Sequence, residues 1–260
     1  MKKFFVKAFK ILNVLLVLTI WIFFAGLIVE KVIEEKERTR EENNYNVAIV
    51  KVNKRITNKM ADKIIKKTEK ANSDEKVKAI LYVIDSPGGY VNPSFESATY
   101  IKSIKKYTVA YIRSRGVSGA YLIASAADSI YSTICSAIGS IAVDNSFIDY
   151  SEKHEKEGKK FNNLISGKYK NIYDPNKSLS DDEEKLIRKQ LDYHHNNFVD
   201  RVSQYRNIPR AKVSVIADGR EYYGENAINL GLIDHIVENI NDLKVKLENQ
   251  LQEEIRVKEF

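Results

Sequence analysis

The chain has 260 residues, 43% of them hydrophobic, and a formal net charge of +7; that is enough to bury one sizeable core and carry an appendage. Setting aside Lys2, Lys3, Lys7 and Lys10 leaves +3, a weak surplus for a nucleic-acid binder, so no nucleic-acid partner is expected. The single cysteine, Cys135, excludes an intrachain disulfide and any multi-cysteine metal site, and it reads as a small buried apolar residue.

The appendage comes first. Residues 11–29 form an apolar run whose only clearly polar members are Asn13 and Thr19, long enough to cross a bilayer as a helix. The lysines before it keep residues 1–10 cytoplasmic, so everything after Val29 is expected on the far side of the membrane. A cleaved signal peptide competes with this reading. The run exceeds the roughly 7–15 residues of a signal core, and no clear Ala-x-Ala site follows it, which favours an uncleaved single-pass anchor. Residues 30–44 (EKVIEEKERTREENN) are dominated by charge and read as a solvated helical stalk or linker.

From residue 45 to 240 the pattern is that of an α/β domain. Residues 46–52 (NVAIVKV) alternate as a strand, and residues 57–71 carry Met60, Ile64 and Ile65 at helical spacing. Residues 77–84 (VKAILYVI) suit a central parallel strand covered on both faces. Asp85-Ser86-Pro87-Gly88-Gly89 ends that strand; Asn92 is placed to cap the next helix, with Pro93 at its first position and Phe95, Ala98, Ile101 and Ile104 on one face. Residues 107–112 (YTVAYI) read as another buried strand, residues 120–127 (AYLIASAA) as a helix, and residues 128–132 and 141–143 as further strands. In such sheets functional residues collect at the carboxyl ends of strands, the position of both residues 86–89 and residues 116–119.

The second half is more helical. Ser180 and Glu183 make a capping box ahead of Leu186, Ile187, Leu191, Phe198, Val202 and Tyr205, a long amphipathic helix ended by Asn207 and Pro209. Shorter helices are expected at residues 210–217, stopping at Asp218-Gly219, and at residues 224–230, closed by Gly231. Over residues 241–260, Leu243, Leu247, Leu251 and Ile255 make a narrow stripe suited to a subunit contact or a light clamp on the core.

Arg115-Gly116-Val117-Ser118-Gly119-Ala120-Tyr121 sets one serine between small residues where a strand gives way to a helix. Unpaired N–H groups and the positive end of the helix dipole lie at such a junction and stabilise negative charge, while Gly116 and Gly119 admit close approach to the backbone. Most serines before helices are plain N-caps, and this stretch taken alone favours that reading. A nucleophilic serine also needs a base. His154, His194, His195 and His235 lie in helical or strand patterns, none in a small-residue turn. A lysine serves instead if its site is dry, although bringing its pKa from about 10.4 to near 7 takes about 4–5 kcal/mol of desolvation. Composition does not select one among 42 basic residues.

Five motifs, taken in order, carry a resemblance. They are Asp85-Ser86-Pro87-Gly88-Gly89, Val117-Ser118-Gly119-Ala120-Tyr121, Ile138-Gly139-Ser140-Ile141-Ala142-Val143, Ile165-Ser166-Gly167-Lys168-Tyr169-Lys170, and the stretch from Ala217-Asp218-Gly219 through Tyr223-Gly224 to Leu230-Gly231-Leu232-Ile233-Asp234. Between residues 77 and 237 the chain resembles the signal peptide peptidase A (protease IV) family of serine peptidases. It departs from the family in Gly119-Ala120, where Gly-Gly is common, and in Ala142-Val143, where Gly-Val is.

The resemblance implies the Clp protease and crotonase-like fold, a superhelix of repeated β-β-α units, and a Ser/Lys dyad. Ser118 would be the nucleophile and Lys170 the general base, with Lys168 its local competitor. The backbone N–H of Gly119, with that of Gly89 or Gly88, would form the oxyanion hole, which suits residues able to turn an N–H towards a substrate. Ser140 is a candidate for orienting the lysine, with a helix or turn cap as the alternative. The resemblance further implies a homo-oligomeric ring whose serine and lysine come from adjacent subunits, at the inner (cytoplasmic) membrane with the catalytic domain on the extracytoplasmic side. Substrates would be hydrophobic peptides, either signal peptide remnants or misfolded envelope proteins, and no cofactor or metal is expected. Two rival readings are a crotonase-like hydratase or isomerase acting on acyl thioesters and an inactive membrane-tethered scaffold.

Overall fold

The computed structural model describes Trp21, Phe24, residues 26–36 and residues 44–260. Two compact units divide at Tyr45. In the first, residues 26–36 form helix α1, exposed along its length. Residues 1–10 and most of the apolar run at 11–29 lie outside the described residues, as do residues 37–43 of the charged stalk. Among the described residues no helix is long and apolar enough to cross a membrane.

In the second unit the described residues form a mainly parallel eight-stranded sheet flanked by helices. Its centre comprises β1 (Val47–Val52), β2 (Ala79–Ser86) and β3 (Tyr107–Val117), parallel and in register from Val47↔Ala79 and Ala79↔Tyr107. Val47, Ala48, Val50, Ile80, Ile84, Val109 and Ile112 are inaccessible, so apolar residues on both sides of each strand give up water contact, as covered parallel strands require. Helix α2 (Asn58–Ser73) begins where Thr57 Oγ1 accepts the Met60 N–H at 3.3 Å, and it buries Met60, Ala61, Ile64, Thr68 and Ala71.

Helix α3 (Val91–Lys102) starts two residues ahead of Pro93, so Asn92 is not its cap. Tyr90 holds that position because its N–H donates to Ile56 O and Ile56 N–H to Gly88 O, each at 2.8 Å, which fixes the chain at the helix entrance. Pro93 still falls in the first turn, where a missing N–H costs nothing.

Strand β3 runs five residues past Ile112 because it changes partners. Residues Val109 to Ile112 pair with β4 (Ser129–Ser132), and Arg115 to Val117 then pair with β5 (Ala137–Gly139). The strand expected at 141–143 is therefore at Ala137–Gly139 and stops at Ser140, whose φ of 49° leaves the extended region. Cys135 is exposed, not buried. It sits in the tight β4–β5 turn, where Ser136 Oγ accepts the Thr133 N–H and donates to Ile112 O and Arg113 O, so the serine is drawn inward and the cysteine faces out.

After Ser140 the chain carries the short helix α5 (Ser151–Lys156), then α6 (Asp181–Arg206), α7 (Arg210–Ile216), β6 (Glu221–Tyr222), α8 (Gly224–Asn229) and β7 (His235–Ile236). The capping box at α6 is complete, and Asn207 ends that helix at φ 52°. Helix α9 (Ile240–Leu251) stops at Gln252, so Ile255 lies beyond it, next to β8 (Val257–Glu259), which adds to β1. Leu243, Leu247 and Ile255 are buried with Val47, Leu81 and Val109 in one apolar cluster, which places this stripe on the core.

Candidate active site

Ser118 occupies the single residue between β3 and α4 (Gly119–Ser125), at φ 53°, ψ −131°. A non-glycine residue in such a region costs on the order of 1–3 kcal/mol and persists only where its surroundings over-determine it. They do so here. The Ser118 N–H donates to Gly139 O at 2.8 Å, its carbonyl accepts from Tyr121 and Leu122, and α4 is buried throughout. The side chain makes no capping hydrogen bond. The plain N-cap reading therefore fails, and the hydroxyl is left for other work.

Three glycines crowd this serine. A Cβ on Gly88 (φ 88°) would come within 2.8 Å of Ser118 Cβ, one on Gly89 would overlap Ile56 O, and one on Gly119 would overlap Ser94 Oγ and approach Gly89 N to 3.5 Å. The candidate donors differ in availability. Gly88 N–H donates to Ser86 Oγ at 3.2 Å, and Ser86 Oγ itself donates to Lys54 O at 2.7 Å. The N–H groups of Gly89 and Gly119 have no acceptor among the described residues. Two close, uncommitted donors beside an unpaired serine hydroxyl are what an oxyanion needs.

These groups open on a cavity of about 340 Å³. Phe95, Leu122 and Phe198 give it an apolar wall, and Arg55 and Asp144 are its charged members. No histidine lines it. His235 stacks on Tyr131, His194 packs against Tyr193, and His154 lies between Tyr150 and Phe161.

Lys170 is not among the cavity's lining residues. It is exposed in a turn where its N–H donates to Gly167 O at 3.0 Å, and its ammonium has no partner among the described residues. Lys168 is already engaged: its Nζ donates to Asp182 at 2.8 Å, and that hydrogen bond holds its pKa above the usual lysine value, the wrong direction for a base. Ser140 directly follows the residue that accepts the Ser118 N–H; its own N–H donates to Arg220 O at 2.9 Å, and its hydroxyl has no partner among the described residues. A backbone role in the turn and a free side chain thus coexist at Ser140.

The last motif supports this site from behind. Strand β6 pairs antiparallel with β5 at Gly139↔Glu221, and Arg115 reaches Glu221 at 3.0 Å. Tyr121, buried in α4 with its pKa pushed up by that burial, donates its hydroxyl to Leu232 O at 2.9 Å. Asp234 accepts the Ile130 N–H at 2.7 Å and pairs with the nearly buried Arg206 at 2.6 Å. Arg55 and Phe198 carried no signal of a site role in the sequence, because one lies in a short loop and the other on the apolar face of a long helix.

The family model described as Peptidase family S49 matches residues 100–253, a span that includes Ser118, Ser140 and Lys170. The chain belongs to peptidase family S49. A second family model, Clp protease, matches residues 34–136. Among curated relatives, the chain is 33% identical over 177 residues to "Putative protease MJ0651" of Methanocaldococcus jannaschii, covering 67% of this chain and 57% of that one. It is 31% identical over 221 residues to "Putative signal peptide peptidase SppA" of Enterococcus faecium (78% and 64%), and 30% identical over 184 residues to the capsid assembly protease C of Escherichia phage lambda (70% and 42%). The chain thus spans less than two thirds of the length of these relatives. In fold the S49 chain is similar to a ClpP1 point mutant from Listeria monocytogenes, with a TM-score of 0.52 at 17% identity over 75% of this chain and 94% of that one.

Proposed function

We propose that this S49 chain is a serine endopeptidase that hydrolyses hydrophobic peptides with Ser118 as nucleophile and Lys170 as general base. The observation that carries the reading is Ser118 itself: an unpaired hydroxyl on a strained backbone, facing a cavity beside the free N–H groups of Gly89 and Gly119. In the proposed reaction, neutral Lys170 takes the hydroxyl proton and Ser118 Oγ bonds to the peptide carbonyl carbon. Gly89 and Gly119 stabilise the oxyanion, and the C–N bond breaks as the lysine returns the proton to the leaving amine. Water then repeats the sequence on the acyl-enzyme and releases the acid. The apolar wall formed by Phe95, Leu122 and Phe198 supports a preference for a hydrophobic side chain next to the cleaved bond.

A lysine serves as a base only where its site is dry, so this mechanism requires Lys170 to be covered. The segment bearing it exposes Leu164 completely and Ile165, Tyr169 and Tyr173 substantially, a run of apolar surface suited to a subunit contact. The reading therefore includes a homo-oligomer in which the lysine of one copy serves the serine of the next, tethered to the inner membrane by residues 11–29. Signal peptide remnants and misfolded envelope proteins are the substrates this location favours. A fluorophosphonate probe should label Ser118 in the intact protein and leave Ser118→Ala unlabelled, and Lys170→Ala should lose peptide hydrolysis while remaining folded. A folded protein that takes no label and cleaves no hydrophobic peptide would overturn the proposal.

A further inference from the structure

Arg55 lines the Ser118 cavity and stands apart from most of the chain's other arginines. Arg115, Arg188, Arg206, Arg210, Arg220 and Arg256 each lie within ion-pair distance of a carboxylate. Arg55 has neither an ion pair nor a hydrogen bond among the described residues; its guanidinium lies 5.1 Å from the centroid of the Tyr90 ring. A guanidinium held over an aromatic face by cation–π attraction keeps N–H donors open, and arginine uses such donors to recognise carboxylates.

The loop that presents Arg55 is tied to the glycines of the site. Ile56 exchanges backbone hydrogen bonds of 2.8 Å with Gly88 and Tyr90, and Lys54 O accepts from Ser86 Oγ. Arg55 directly precedes Ile56, the residue that bridges to Gly89. Asp144, the cavity's other charged side chain, makes no ion pair with Arg55 among the described residues.

We propose that Arg55 is a specificity-determining residue that binds a carboxylate of the peptide, either an acidic side chain or a terminal carboxylate. Because Arg55 and Ser118 line the same cavity, that carboxylate lies near the cleaved bond. The inference rests on the peptidase reading above and adds an acidic preference to a site otherwise walled by apolar side chains.

The test uses the full-length protein and leucine- and alanine-rich peptides carrying Glu or Gln, in separate versions, at each of the three positions on either side of the cleaved bond. Each is made with a free and an amidated C-terminus. At one position, or at the free terminus, the carboxylate form should be preferred about five- to tenfold in kcat/KM, the order expected of a charge-assisted hydrogen bond at a partly exposed site. Arg55→Gln should bring that ratio to near one, and Arg55→Lys should leave an intermediate ratio. The responding pair tells a side-chain carboxylate from a terminal one. The same peptides are titrated against Ser118→Ala, with and without Arg55→Gln, and the Kd ratio should follow the same pattern. If the intact protein cleaves nothing, the peptidase reading fails while the Kd ratios still decide the role of Arg55. Equal ratios with and without the Arg55 guanidinium, in both turnover and binding, overturn the proposal.

Discussion

At Ser118 the backbone and the side chain have separate tasks. The backbone is held by Gly139, Tyr121 and Leu122, and Oγ caps nothing. Ser118→Ala should therefore lower peptide hydrolysis by a factor on the order of 10³ or more while the thermal unfolding midpoint moves little; assays of rate and melting on the same sample check both halves. Gly119→Ala should behave differently. The added Cβ meets Ser94 Oγ, with Ser94 Cβ only 2.9 Å away, so a loss of about 1–3 kcal/mol in urea unfolding is expected together with lost activity. This junction was legible in the sequence because a strand-to-helix change flanked by small residues is a local pattern. The choice between Gly88 and Gly89 was not legible, since it depends on Ser86 Oγ taking the Gly88 N–H.

At the scale of elements, α6 shows how a few side chains fix a boundary. Glu183 is drawn down from the ordinary 4.5 to about 2, first by its hydrogen bonds from Lys177 and then by the Ser180 N–H. Because its folded pKa lies below the unfolded one, its contribution to stability is fully present above the unfolded value and disappears as pH falls towards about 2. Glu183→Gln should be less stable than the parent at neutral pH, and denaturant titrations repeated down the pH scale should find the two curves converging in acid. The capping box was readable because its residues lie three apart in sequence. The register of β5 and the outward turn of Cys135 were not, because both follow from which strand β3 meets after Ile112.

At the scale of the whole molecule, the proposed mechanism joins Ser118 to Lys170, an exposed residue that does not line the Ser118 cavity. If neighbouring copies share the site, mixing Ser118→Ala with Lys170→Ala under conditions that allow subunit exchange should restore part of the peptide hydrolysis that each lacks alone. Dilution of the intact protein should abolish activity below an assembly threshold. A mixture that stays inactive although its subunits are shown to exchange, beside an active parent, would place both groups in one copy.

Sequence alone determined the alternation of strands and helices, the serine at the end of β3 and the complete cap of α6, because each is encoded by residues within a few positions of one another. It also carried the five motifs whose family resemblance is the ground for proposing Lys170 among many lysines. Tertiary structure decided which glycine N–H groups stay free, that Arg55 and Phe198 face the same cavity as Ser118, and that Leu243, Leu247 and Ile255 close the core. Those outcomes depend on contacts between segments far apart in the chain, whose pairing is set by how the sheet and its helices exclude water together.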